Sequence, residues 1–234
     1  MKISQNRRKI GYTYSSVSGS FPFRGEKSIS FESTLERDLL MLLEYDPRVV
    51  DVIEQPVTIE YENANGRNVT YTPDFLVHYR TASSLDLNNS NRSRLIEVKP
   101  QRILKTKWQE LKPKFKIGTS YAKQQGWRFC IYDEVRIRGQ YLKNIRFINR
   151  YKNYQFDQAE GQRITSHLKL VGHTAIDHLL EFLYVKSDDK GIALAQVWSL
   201  VAKKVIACDM TLPLNLGAVV WLNLDEPYGV SVDD

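Results

Sequence analysis

Cysteine is scarce: Cys130 and Cys208 are the only two in 234 residues, far apart and outside any CxxC pair. That excludes a disulfide framework and a cysteine-based zinc site, and predicts two reduced core thiols in a cytoplasmic protein. No run of about 18 apolar residues occurs, so no transmembrane helix is expected. The opening MKISQNRRKIGYTYSS is basic but has neither an apolar core nor a small-residue cleavage site, and does not read as a signal peptide. Internal repeats and low-complexity tracts are also lacking. What is present is ordinary for a globular chain of one or two domains: 42% apolar and 26% charged residues, enough to bury a real core.

The net charge of +6 is unevenly placed. Residues 1–30 carry net +5, 31–93 net −6, 94–152 net +12 and 153–234 net −5. A positive block of that size is either a solvated helix face or a phosphate-binding surface. Trp108, Phe115, Tyr121 and Trp127 are interleaved with its basic residues, and an acidic constellation lies at its start; both observations favour the second reading.

Residues 1–29 show no periodicity and read as a flexible or partner-ordered basic arm. In FESTLERDLLMLLEY (31–45), Leu35, Leu39, Leu42 and Leu43 follow the spacing of a buried helical stripe, and Asp46-Pro47 ends the helix. Three β-like runs follow: 49–53, 57–61 with Asn65-Gly66 as the turn after it, and 69–77, interrupted by Pro73. A polar surface loop is expected over 81–93, a short apolar strand over 95–98, a helix over 107–125 broken near Pro113 with Gly126 as its C-cap, and a strand over 129–132. This order predicts a mixed α/β sheet flanked by helices, with the domain filling residues 30–155. Beyond a boundary near 150–162, two amphipathic helices (174–184 and 191–205) and two short strands (206–209 and 218–222) have the pattern of a winged helix, placed at 163–234.

Four residues carry the chemistry. Asp74, in YTPDFLV, sits beside an apolar strand. Glu97 and Lys99, in LIEVKP, are two apart and share one strand face with Leu95, while Ile96 and Val98 face the other way. Glu36 borders the apolar stripe of the first helix, in the row of Leu40 and Leu43. Each has a plainer reading: Ser33-Thr34-Leu35-Glu36 matches a capping box, Asp74 suits a strand-edge turn, and Glu97 with Lys99 suits an exposed cross-strand ion pair. Together they form a PD-(D/E)xK pattern, with proline-aspartate, then Glu-x-Lys on an apolar strand. The chemistry that fits is phosphodiester hydrolysis. Carboxylates hold Mg²⁺, with Mn²⁺ able to substitute, the metal activates water, and a lysine offsets charge growing on the phosphate.

The blocks ESTLERDLLMLLEYDPRVVDVIEQP, YTPDFLV and LIEVKP, in that order over about residues 30–132, resemble the catalytic domain of the TnsA transposase endonucleases. The resemblance implies a restriction-endonuclease-like core, with Glu36, Asp74, Glu97 and Lys99 as the active site and the three carboxylates as metal ligands. Gln55, in the EQP segment, takes a supporting role at the site or on DNA. With the basic block it suggests Arg102, Lys105, Lys107, Lys112 and Lys114 as DNA contacts. It implies a bacterial, DNA-associated protein that cuts the 5′ ends of a transposon in double-stranded DNA. A partner DDE-type transposase processes the 3′ ends, and an ATPase regulator docks on the C-terminal domain, whose acidic balance suits a protein partner better than DNA. Two other readings stay open: a stand-alone restriction or repair nuclease with the same site, and a non-enzymatic winged-helix adaptor.

Overall fold

The computed structural model describes residues 3–4, 17–63, 65–80, 92–184 and 187–223. The chain divides into two compact units, residues 1–139 and 140–234.

The first unit opens with β1 (Ile3–Ser4), β2 (Gly19–Phe23) and β3 (Lys27–Phe31). The arm expected over 1–29 therefore needs correcting: β2 and β3 form an antiparallel hairpin across Arg24 and Gly25, both at positive φ, and it buries Phe23, Ile29 and Phe31. Residues 5–16 of that arm lie outside the described residues. Next comes α1 (Thr34–Tyr45), capped by Ser33, whose hydroxyl accepts the Glu36 N–H; it stops at Asp46, ahead of Pro47. It buries Leu35, Leu39, Leu40 and Leu43, and with them the carboxylate of Asp38.

The strands β4 (Val49–Glu54), β5 (Thr58–Glu62), β6 (Asn68–Tyr71), β7 (Phe75–Tyr79) and β8 (Arg94–Val98) follow. Thus the third expected run is two strands, split at Pro73 and Asp74. Most of the 81–93 loop lies outside the described residues. After β8 come α2 (Gln101–Thr106), α3 (Trp108–Gln124), β9 (Arg128–Tyr132) and α4 (Glu134–Ile137). The helix break lies at Lys107 rather than at Pro113, which α3 carries internally; Gly126, at φ +73°, closes the helix as expected.

The main sheet runs β4-β7-β8-β9. Its first two pairings are antiparallel and β8-β9 is parallel, so the sheet is mixed. A parallel pair needs a long crossover, and α2 with α3 supplies it. A second antiparallel sheet, β1-β5-β6, joins the same core: Val57, Ile59 and Tyr71 pack with Leu76 and Leu95 of the main sheet and Tyr121 of α3. All four residues from Leu95 to Val98 are buried, Glu97 among them.

The second unit holds α5 (Gln140–Ile148), α6 (Gln158–Val171), β10 (His173–Ala175), α7 (Ile176–Leu183), α8 (Ser187–Ala202), β11 (Ile206–Cys208) and β12 (Val219–Leu222), with an antiparallel sheet ordered β10-β12-β11. The division therefore falls earlier than 150–162. The reason is α5: it buries Leu142, Ile145 and Ile148, and Asn144 donates to the carbonyls of Met210 and Leu212. The Phe147 ring also meets Trp198 of α8 edge-on at 5.1 Å. Both later helices and both later strands occur where the pattern placed them; α6 and β10 are additional. Among the described residues no helix is long and apolar enough to cross a membrane.

Candidate active site

Three of the four expected residues meet at the start of β7 and the end of β8. Asp74 precedes β7, and its Oδ2 accepts the Val98 N–H at 2.6 Å, tying the PD turn to the neighbouring strand. Lys99 follows β8. Its Nζ lies 2.9 Å from Glu97 Oε1 and 3.5 Å from Asp74 Oδ2. The pair is therefore not an exposed cross-strand one: it runs along a single strand, and the Glu97 side chain keeps only 5% of its surface open. The remaining Glu97 oxygen, Oε2, accepts the Tyr71 hydroxyl at 2.9 Å.

Glu36 stands differently. Its Oε1 accepts the Ser33 hydroxyl at 2.8 Å and its Oε2 the Glu32 N–H at 2.7 Å, so the capping reading of this residue is realised. Its charge nevertheless acts on Asp74 and Lys99. Gln55 also belongs to the site. Its N–H donates to the Asp74 carbonyl at 2.8 Å, and its Nε2 to Glu32 Oε1 at 3.1 Å. To do both it takes φ +44°, a left-handed conformation that costs a non-glycine residue about 1 kcal/mol.

The electrostatics follow from crowding. Burial, with Glu97 and Glu36 nearby, pushes the Asp74 carboxyl up to about 8 against the pull of Lys99 and the Val98 N–H. Burial likewise raises Glu36, opposed by its hydrogen bonds to Glu32 and Ser33. For Lys99 burial alone would favour the neutral amine, but Asp74, Glu97 and Glu36 outweigh it and hold the ammonium above its ordinary range.

Among the described residues no three His, Cys, Asp or Glu side chains converge closely enough to hold a metal ion as they stand. The three-carboxylate set expected from the sequence is not closed, because Glu36 commits both oxygens to its own helix start. Asp74 and Glu97 do fit a hard divalent cation by their chemistry. Both offer oxygens, and both already face one shared positive charge, the Lys99 ammonium.

The expected DNA contacts lie just beyond. Arg102, Lys105, Lys107 and Lys112 are exposed and Lys114 is half-buried, on α2, α3 and the junction between them. Sequence reasoning missed Tyr71 and Glu32. Tyr71 adjoins the TPD block, but its partner is 26 positions away; Glu32 lies immediately ahead of the helix cap.

The family model described as TnsA-like endonuclease N terminal matches residues 46–134, which include Gln55, Asp74, Glu97 and Lys99 and leave Glu36 just ahead. The model described as TnsA endonuclease C terminal matches residues 136–210. Comparison with curated proteins finds no match. The junction of the two models falls within a few residues of the structural division at Gly139: the first model lies inside the first unit, and the second, apart from residues 136–139, inside the second. A mixed sheet bearing an acidic turn and a Glu-x-Lys strand in the first unit, with both family models in chain order, shows that the chain belongs to the TnsA family of DNA endonucleases, nucleases of transposition.

Proposed function

We propose that this chain is the metal-dependent subunit that hydrolyses the 5′ strands at the ends of a transposon, with a DDE-type transposase processing the 3′ strands. The observation that carries this reading is the convergence of Asp74, Glu97 and Lys99 at one sheet edge. Asp74 and Glu97 would hold a divalent cation, Mg²⁺ or Mn²⁺. When bound, it polarises the scissile phosphate and lowers the pKa of water. Glu36 would complete the ligand set if it were released from Ser33 and the Glu32 N–H.

The protein's own groups do the rest. The Val98 N–H orients Asp74, and Lys99, held cationic, moves from its carboxylates to the phosphate and offsets charge growing there. Gln55 anchors the Asp74 backbone. Arg102, Lys105, Lys107, Lys112 and Lys114 track the DNA backbone leading into the site. A Glu36 still committed to its helix start supports a subunit completed by its assembly more than a stand-alone restriction or repair nuclease.

In the second unit the order from α6 onward, helix, strand, two helices, two strands, supports a winged helix. We assign it to docking the ATPase regulator. Deleting residues 163–234 tests this, and retained ATPase-subunit binding would refute it.

The deciding experiment reconstitutes excision of a mini-element with its cognate transposase and ATPase and maps breaks on each strand. Asp74→Ala is expected to keep the 3′ breaks and lose the 5′ breaks. Normal cutting of both strands by this variant refutes the assignment and favours a non-enzymatic adaptor.

A further inference from the structure

Tyr71 ends β6, a strand of the β1-β5-β6 sheet, yet its side chain reaches the acidic strand of the other sheet. Its hydroxyl donates to Glu97 Oε2 at 2.9 Å while Lys99 holds Oε1 at the same distance, so the two carboxylate oxygens are pinned by different partners. A glutamate's last torsion is otherwise broad and two-fold, and an unpinned carboxylate would sample many orientations.

The ring that delivers the hydroxyl is itself held tightly. It packs in the cluster of Val57, Ile59, Leu76, Leu95 and Tyr121. The α3 backbone presses on it at Gly118, where a Cβ would come within 2.9 Å of the Tyr71 ring and 2.8 Å of the Phe129 ring. Only glycine permits that approach.

We infer that Tyr71 is a positioning residue: it fixes Glu97 so that one carboxylate oxygen is kept for Lys99 and for the catalytic divalent cation. The inference rests on the metal-dependent reading above. It assigns Tyr71 the role of the outer hydrogen-bond partner that orients a metal-binding carboxylate, and it makes Gly118 the residue that lets α3 hold the ring in place.

The test titrates Mn²⁺ alone by calorimetry into the full chain, into Tyr71→Phe and into Tyr121→Phe, a buried tyrosine of the same cluster. Loss of an outer-shell partner weakens metal binding roughly ten- to hundredfold. Tyr71→Phe is expected to weaken Mn²⁺ binding roughly tenfold or more, with Tyr121→Phe close to wild type. Equal affinity in wild type and Tyr71→Phe, or an equal loss in both variants, overturns the inference and leaves the metal-dependent reading standing. A wild-type chain that binds no Mn²⁺ overturns the inference, and the strand-mapping experiment with the assembled complex then decides the metal-dependent reading separately. Should Tyr71→Phe fail to fold, 3-fluorotyrosine placed at position 71 alone gives the answer. Its ¹⁹F resonance is expected to shift on adding Mg²⁺, and a resonance that stays put overturns the inference.

Discussion

Replacing Lys99 by methionine keeps most of the apolar stem and removes the cation that lies between two carboxylates. Glu97 then loses a 2.9 Å ion pair and Asp74 a 3.5 Å one. Exposed ion pairs contribute about 0–1 kcal/mol, whereas breaking a buried pair costs about 3–5 kcal/mol. Side-chain exposures of 28% for Lys99, 5% for Glu97 and 20% for Asp74 put this case between those limits. The Tyr71 hydroxyl and the Val98 N–H survive the change, and Asp74, pushed up to about 8, already carries its proton at pH 7, so the lost charge falls chiefly on Glu97. A loss of about 2–3 kcal/mol follows. For a unit of 139 residues that lowers the melting temperature by roughly 8 °C. Metal-free wild type and variant would be compared by thermal unfolding at pH 7. Lys105→Met on α2 serves as an exposed control, expected within about 0.5 kcal/mol of wild type. Saturating Mn²⁺ should restore part of the loss, since a bound cation replaces the missing charge. Unchanged or increased stability of Lys99→Met would show that the carboxylates are not crowded and would refute the electrostatic account of the site.

The same crowding sets a pH dependence. With Asp74 near 8 in the folded chain and 3.8 as its ordinary value, protonation favours the folded state, so this group's contribution declines as pH rises from about 4 to about 8. Melting curves of the metal-free chain should show that decline, and Asp74→Asn should flatten it. The buried Asp38 carboxylate is paired at 2.7 Å with Arg138, which also donates to Thr34. Arg138→Ala is expected to cost about 2 kcal/mol, discounted from a fully buried pair because the Arg138 side chain is 44% exposed; urea unfolding measures it. Converting Arg102, Lys105 and Lys112 together to alanine should weaken duplex binding at every sequence and reduce the salt slope by roughly 0.9 per lost phosphate contact. Anisotropy titrations at several salt concentrations would read both effects.

Much of this was legible in the sequence where a pattern extends over several residues. The leucine stripe marked α1, a short β-like run marked β4, and alternation before the Asn65-Gly66 turn marked β5. The spacing of Glu97 and Lys99 in an apolar run placed both on one strand face, where they meet. The misses have physical causes. A six-residue helix such as α2 carries too few turns to show a period. The β2–β3 hairpin had a signal, since Phe21, Phe23, Ile29 and Phe31 alternate around Arg24-Gly25-Glu26, but the surrounding basic and serine residues masked it. The unit division was set too late because α5 continues the basic block in composition while its buried face packs with α8. For Glu36, the helix start and the site compete for the same carboxylate, and spacing alone could not rank them. Tyr71 depended on how a second sheet folds over the first.

The parallel pairing of β8 with β9 has a consequence for biosynthesis. The Lys99 N–H donates to the Tyr132 carbonyl at 3.0 Å, and Val98 sits in register with Tyr132. While the ribosome is still translating the α2–α3 crossover, β8 is an edge strand with Leu95, Ile96 and Val98 uncovered, open to wrong partners. Lys99 then lacks the backbone anchor that aims it. Of the candidate site residues, Lys99 is therefore the one whose backbone anchor waits for the late arrival of β9, while the partners of Asp74 and Glu97 are already synthesised.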